Sequence, residues 1–393
     1  MNNPPSNCPV VLRTGFRIFF LGATAYAVLS MAFWIVFYVA GGNIFVAMPL
    51  TVWHGHEMVF GFTMAVVAGF LLTAVMNWTG LPTLSGTPLL VLFLFWAAAR
   101  VLAFMPTFVP TWPMALCDTT FLVFLSVAVM RPVIAAGQWQ QSAVFSKLIL
   151  ILSSGVVFYG ALFHADLKVE RKALRFAVYM IVSLIFMISR RILPFFIERG
   201  VGYPVTLRNS RVLDLASLVF LIAFSVIDVF WNFPVIVAVL STLLVIVHTL
   251  RLSGWYTHGI WRKPLLWILF VGYIFLIIGF LLKILLVIYH RPDDSALHAL
   301  TAGGIGIFTL GMMARVSWAH TGRGIAEAPR QLPLIFVPLA AGAMIRVFSP
   351  ILDESKYVLW IASAQILWML SFWLYLVFYF RILTSPRPDG EWG

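Results

Sequence analysis

Apolar residues fall in runs of about twenty along nearly the whole chain, with short polar segments between them. The hydrocarbon core of a bilayer needs about 20 apolar residues per helix. Windows of that size place spans at 16–39, 58–77, 88–106, 113–130, 147–164, 174–196, 213–230, 233–250, 265–288, 297–316, 332–349 and 357–382. The predicted fold class is an all-α polytopic membrane protein, a bundle of about twelve transmembrane helices. The longest connection, roughly 197–212, is a surface loop, so residues 1–393 read as a single integral-membrane domain.

Composition agrees, because 62% hydrophobic and 10% charged residues exceed what a soluble core could hide. The leader "MNNPPSNCPVVLRTG" lacks the basic start and small-residue cleavage site of a secretory signal, so the first span is expected to stay attached. Cys8 and Cys117 are the only cysteines, which leaves no disulfide framework or thiolate cluster. The net charge of +12 would suit a nucleic-acid partner in a soluble chain. In a polytopic one it first reports topology, and no nucleic acid is expected. With the N-terminus inside, 17 Lys/Arg lie at inner ends and 9 at outer or intramembrane positions. Both termini are therefore expected in the cytoplasm, with the lipid bilayer as the main partner.

This topology puts His54, His56 and Glu57 at the outer end of the second span and His298 at the outer end of the tenth. Ionisable groups at membrane depth are costly and are functional candidates by default. "HEMVFGFTMAVVAGFLLTAVMNWTG" from His56 and "HALTAGGIGIFTLGMMARVSWAHTG" from His298 align without a gap at an offset of 242, pairing Gly61 with Gly303 and Gly69 with Gly311. The next helices carry Arg100 in "FWAAARVLAF" and Arg346 in "GAMIRVFSP". Two repeated helix hairpins, 54–106 and 297–349, thus each offer an outer His and an outer Arg. The offset of eight spans suits a pseudo-three-fold arrangement of four-helix units, although the sixth span, with "SRRILPFF", supplies arginines and no histidine.

Two neutral imidazoles can hold one metal from opposite sides, and a flat macrocycle between helices needs small residues against its faces. Gly61, Ala65, Ala68 and Gly69 offer such a surface, as do Gly303, Gly304 and Gly306, while close helix packing would use the same residues. Haem carries two propionates, and Arg100 and Arg346 lie at a depth to pair with them. His54 and His56 point to nearly opposite sides of a regular helix. The repeat favours His56, whereas His54 lies along the small-residue stripe with Met58, and both remain candidates. His164 and His290 fall at outer ends, and His248 and His258 on the basic inner side, where surface placement is expected. His320, at the far end of the tenth span, is roughly 33 Å from His298 at about 1.5 Å per residue.

The segments "WHGHEMVFGF", "GFLLTAVMNWTG", "FWAAARVLAF", "SRRILPFFIERG", "HALTAGGIGIFTLGMMARVSWAHTGR" and "MIRVFSP" resemble the NnrS family over residues 53–349. The resemblance implies a bacterial inner-membrane protein containing haem and copper, with a role in tolerating nitric oxide and nitrosative stress. By position it marks His54, His56, Arg100, Arg191, His298, Arg315, His320, Arg323 and Arg346 as site residues. "ISRR" departs from the family, many members of which have two glycines before the arginine. "HGHEMVFGF" is also similar to the second span of haem-copper oxidase main subunits, an analogy that makes His54 and His298 the axial pair. Spans six and seven contain no histidine, so an oxygen-reducing copper centre is not expected.

The expected cofactor is a haem of b type on His54 or His56 and His298, with nitric oxide or another small gas as ligand. Copper would suit His54 or His56 with Met58, or an outer site at His164 or His290. Two other classes stay open. One is a haem-free twelve-helix transporter of a metal or small anion, favoured by charges such as Asp118 and Lys283 within spans. The other is a quinone-linked electron-transfer protein.

Overall fold

A computed structural model describes residues 8–41, 48–105, 110–231, 233–291, 294–325 and 328–393. Among these residues, eleven helices are long and apolar enough to cross a membrane, and a further apolar helix, Gly86–Leu102, is shorter. In chain order they are α1 (Gly15–Ala40), α2 (Leu50–Thr79), α3 (Gly86–Leu102), α4 (Trp112–Ala135), α5 (Ser142–Phe163) and α6 (Leu167–Gly200). There follow α7 (Arg211–Trp231), α8 (Pro234–Gly254), α9 (Pro264–Ile288), α10 (Asp294–Ala319), α11 (Leu332–Leu352) and α12 (Tyr357–Thr384). Each predicted span overlaps one of them. The expected end of the third, at residue 106, lies outside the described residues.

The helix ends follow local chemistry. Gly41 and Gly80 close α1 and α2 in the left-handed conformation, at φ +65° and +70°, which costs glycine little. Pro113, Pro234, Pro264 and Pro333 sit in the first turns of α4, α8, α9 and α11, where no helical amide bond is lost. Hydropathy gives no sign of three π-helical segments, Glu57–Thr63 in α2, Ile227–Trp231 in α7 and Ala299–Gly306 in α10. The first and last begin at repeat-equivalent positions, each directly after a histidine. Such wide turns recur at functional sites. They are stabilised locally, with Thr63 Oγ1 donating to the Met58 carbonyl at 2.7 Å and Thr301 Oγ1 to that of Leu297 at 2.9 Å.

The chain divides into two compact units, one of residues 1–177, 313–327 and 372–393, the other of 178–312 and 328–371. In the first, α1 packs along α2, with Phe19 and Phe20 against Gly69 and Leu72 against Gly15. In the second, α9 lies close on the π segment of α10. Cβ atoms built on Gly303 and Gly304 would collide with Phe275 and Leu276, and one on Gly279 would stand 2.5 Å from Leu300. Gly272 approaches backbone, since its Cβ would fall 2.9 Å from the Phe308 nitrogen, which cannot rotate away. Gly272→Ala should therefore destabilise the protein by about 1–3 kcal/mol, the usual overpacking cost, measurable as a lower thermal midpoint in detergent.

Candidate functional site

Within the first unit, the beginnings of α2 and α4 and the ends of α3 and α5 bring ionisable side chains together inside the protein. His56, Glu57, Arg100 and Asp118 are all buried, at 0%, 0%, 3% and 1% exposure. Arg100 donates through one guanidinium nitrogen to Glu57 Oε2 at 2.6 Å and through the other to Asp118 Oδ1 at 2.5 Å. Tyr26 donates to the same Glu57 oxygen, and Tyr159 to Asp118 at 2.5 Å. Burial of these carboxylates is tolerable because each is paired and hydrogen-bonded. Gly61 makes room for the cluster, since a Cβ there would lie 2.7 Å from Tyr26 and 2.8 Å from Arg100. Trp96 Nε1 satisfies the Gly61 carbonyl at 2.8 Å.

His56 belongs to this network through both ring nitrogens. Nδ1 lies 2.8 Å from Glu57 Oε1, and Nε2 lies 3.0 Å from the Tyr159 hydroxyl and 3.6 Å from Asp118 Oδ2. Phe158 stacks against its face at 4.8 Å. His54 is placed differently, half-buried, with its ring stacked on Trp34 at 4.5 Å and 19° between planes.

In the second unit, His298 Nδ1 donates to the Asp294 carbonyl at 2.7 Å, one turn earlier on α10. A carbonyl can only accept, so the proton sits on Nδ1 and the lone pair on Nε2. A backbone carbonyl commonly orients metal-bound histidines in this way. Arg346 NH2 approaches that Nε2 at 3.1 Å. The structure therefore brings His298 and Arg346 together as the repeated hairpin suggested, whereas Arg100 meets two carboxylates. The small residues proposed to flank a macrocycle are occupied by helix packing: Gly61 and Gly69 by α1, Gly303 and Gly304 by α9, and Gly306 by Trp368. Ala65 and Ala68 are fully buried.

Two further polar clusters lie in the second unit. Asp228, in the π segment of α7, pairs with Lys283 at 2.7 Å and accepts from Tyr179 at 2.6 Å. His164, His258 and His290 are exposed, but His248 is fully buried, against the surface placement expected for it. Its Nδ1 is 2.6 Å from the Tyr273 hydroxyl, its Nε2 is 3.2 Å from Ser217, and its face stacks on Phe186 at 3.6 Å. Arg251, beside it, bonds the Leu213 carbonyl at 2.9 Å and Asp214 at 3.0 Å. Tyr273→Phe should cost about 1–3 kcal/mol by removing a buried partner of His248, again read from thermal unfolding.

Of the remaining predicted residues, Arg191 is exposed in the second unit, while Arg315, His320 and Arg323 belong to the first. Arg315 is buried. The His320 ring lies 6.0 Å from that of Phe16, and Arg323 donates to Thr321 Oγ1 at 2.6 Å. Burial and then the charge of Arg387 hold the His320 imidazole below its ordinary range. Its contribution to stability is complete above the unfolded value of about 6.5 and is lost as pH falls toward the depressed folded value. Thermal stability should thus drop less on acidification in His320→Gln than in the parent.

Among the described residues, no group of three His, Cys, Asp or Glu side chains is disposed to hold a metal ion. Asp118 and Glu57 had a signal in the sequence, as carboxylates within apolar runs that require a cation. Tyr26 and Tyr159 had none, because a tyrosine in a membrane span is common. No curated protein matches the chain. The family model described as NnrS protein matches residues 10–387, nearly the whole length, and the chain therefore belongs to the NnrS family.

Proposed function

We propose that this protein binds a b-type haem in the bacterial inner membrane, near the periplasmic face, and serves the response to nitric oxide and nitrosative stress. His298 and one of His54 and His56 would hold its iron, and Arg346 would pair with one of its carboxylates. Family membership supports the nitric oxide role. The observation that carries the haem reading is His298, whose Nδ1–H is tethered to the Asp294 carbonyl and whose Nε2 lies beside a guanidinium. Such a group, when bound, would supply one-electron exchange and a site for a small gas. The chain's part is to orient the ligand nitrogens and to neutralise carboxylate charge. Copper is a further candidate at Met58 with His54, or at His164 or His290.

Oxidised and dithionite-reduced absorption spectra of detergent-purified protein, with iron and copper analysis of the same sample, test this reading. A Soret band, sharp reduced bands and near-stoichiometric iron are expected, and a colourless, folded, iron-free protein would defeat it. Rapid haem reduction by a quinol would make the protein a quinone-linked electron carrier. The paired charges inside helices, Asp228 with Lys283 above all, favour transport of a metal or small anion as the second reading. Substrate flux in haem-free vesicles would establish it.

A further inference from the structure

We propose that the first turn of α1, the segment that follows α10 and the last turns of α12 form a binding site for a small planar oxyanion, held between Arg17, Arg323 and the hydroxyl of Tyr379. These residues all belong to the first compact unit, and the site is independent of the haem reading.

Arg17 is fully buried. It donates through NH1 to the Leu383 and Ser385 carbonyls at 2.8 and 3.0 Å and through NH2 to that of Gly393 at 2.5 Å, and so caps the end of α12. Carbonyl dipoles offset only part of a whole charge, and the ionised groups that act on this guanidinium, Arg13, Arg323 and Arg387, are all positive. Asp389 and Glu391, in the tail after α12, are both taken by Arg387, at 2.5 and 2.9 Å. Among the described residues, no carboxylate lies within ion-pair distance of Arg17 or Arg323. Topology accounts for arginines at the inner ends of spans in general, but a side chain without solvent exposure anchors nothing at the surface. A buried charge without a counter-charge is costly.

Several donors here lack an acceptor. Arg17 Nε and Tyr379 Oη are buried and bond to no protein atom. Tyr379 is 0% exposed, with its ring stacked at 4.5 Å on Tyr375, whose own hydroxyl meets Ser317 at 2.9 Å, and Arg323 acts on it by charge. Arg323 spends NH1 on the carbonyl and hydroxyl of Thr321, which leaves Nε and NH2 without a protein acceptor. Buried polar groups are nearly always paired. Water could accept these bonds, but only an anion also balances the surplus charge. Guanidinium N–H groups match the plane of a carboxylate or nitrate-type ion. One negative charge suffices, since Arg17 alone of the four arginines is fully buried. Phe16, 5.5 Å from the Arg17 guanidinium and 6.0 Å from the His320 ring, keeps the surroundings apolar, which strengthens such pairing.

Thermal unfolding in detergent tests the site, with sodium nitrate or formate titrated at constant ionic strength against the bulky gluconate ion, in wild type, Tyr379→Phe and Arg323→Gln. The wild-type midpoint should rise with nitrate or formate and saturate. Half-saturation should need about tenfold more anion in Tyr379→Phe, whose midpoint without anion should match or exceed the parent's, because a hydroxyl without a partner is gone. Arg323→Gln should lose most of the response. A wild-type midpoint that does not respond overturns the proposal, as does a Tyr379→Phe response equal to the parent's, which would leave that hydroxyl to water. A stronger response to sulfate than to nitrate overturns the planar, singly charged class. Should Arg323→Gln fail to accumulate, Tyr379→Phe alone decides.

Discussion

Arg100→Met is expected to remove most of the folded protein. The guanidinium holds Glu57 at 2.6 Å and Asp118 at 2.5 Å, and these side chains are 0% and 2% exposed. Taking away one partner of a buried pair typically costs about 3–5 kcal/mol, since the remaining charge keeps its desolvation penalty and loses its attraction. Here two carboxylates are left, against a total stability on the order of 5–15 kcal/mol for an ordinary domain. Arg100→Lys should recover only part of the loss, because an ammonium cannot reproduce the two-armed geometry. Adding Glu57→Gln and Asp118→Asn to Arg100→Met should recover more, because no unpaired charge is then buried. Detergent thermal unfolding and the yield of monodisperse protein measure both effects. An Arg100→Met protein as stable as its parent would mean that the carboxylates are not paired as the structure places them.

His298→Ala should be the most damaging substitution for cofactor content while leaving the fold largely intact. The side chain is half-buried, donates to the Asp294 carbonyl and meets Arg346, so truncation strands less charge than loss of Arg100. Under the proposed function the low-spin spectrum disappears and iron per protein falls several-fold, at an unfolding midpoint close to that of the parent. Arg346→Ala should weaken haem retention by a smaller factor, since a surface-type charge pair contributes less than an iron ligand. A His298→Ala protein with an unchanged spectrum would eliminate the tenth-span ligand and return weight to transport.

Much of the architecture is legible in the order of residues alone. Spans of about twenty apolar residues are dictated by bilayer thickness, and backbone groups in hydrocarbon must bond within their own helix, so run length alone locates helices. The gapless repeat likewise singled out His56 and His298, and the similar helices that follow it singled out Arg100 and Arg346. Their chemistry was not legible. Arg100 and Arg346 look equivalent in sequence, yet one neutralises two carboxylates and the other meets an imidazole, and Asp118, which makes the difference, is contributed by another helix. His248 appeared to be a surface residue near basic neighbours, and packing buried it between Phe186, Tyr273 and Ser217. The glycines that suggested room for a planar group are filled by Phe275, Leu276, Trp368 and the aromatic residues of α1.

By itself the sequence determined the helical class, the spans, the repeat and the family, because each depends on local composition or on order along the chain. Tertiary structure decided which nitrogen of which histidine is engaged, which arginine is spent on carboxylates, and where three helices widen into π turns. Those outcomes depend on side chains far apart in sequence competing for the same few hydrogen bonds in a medium without water. Such a competition is settled only when the helices have packed.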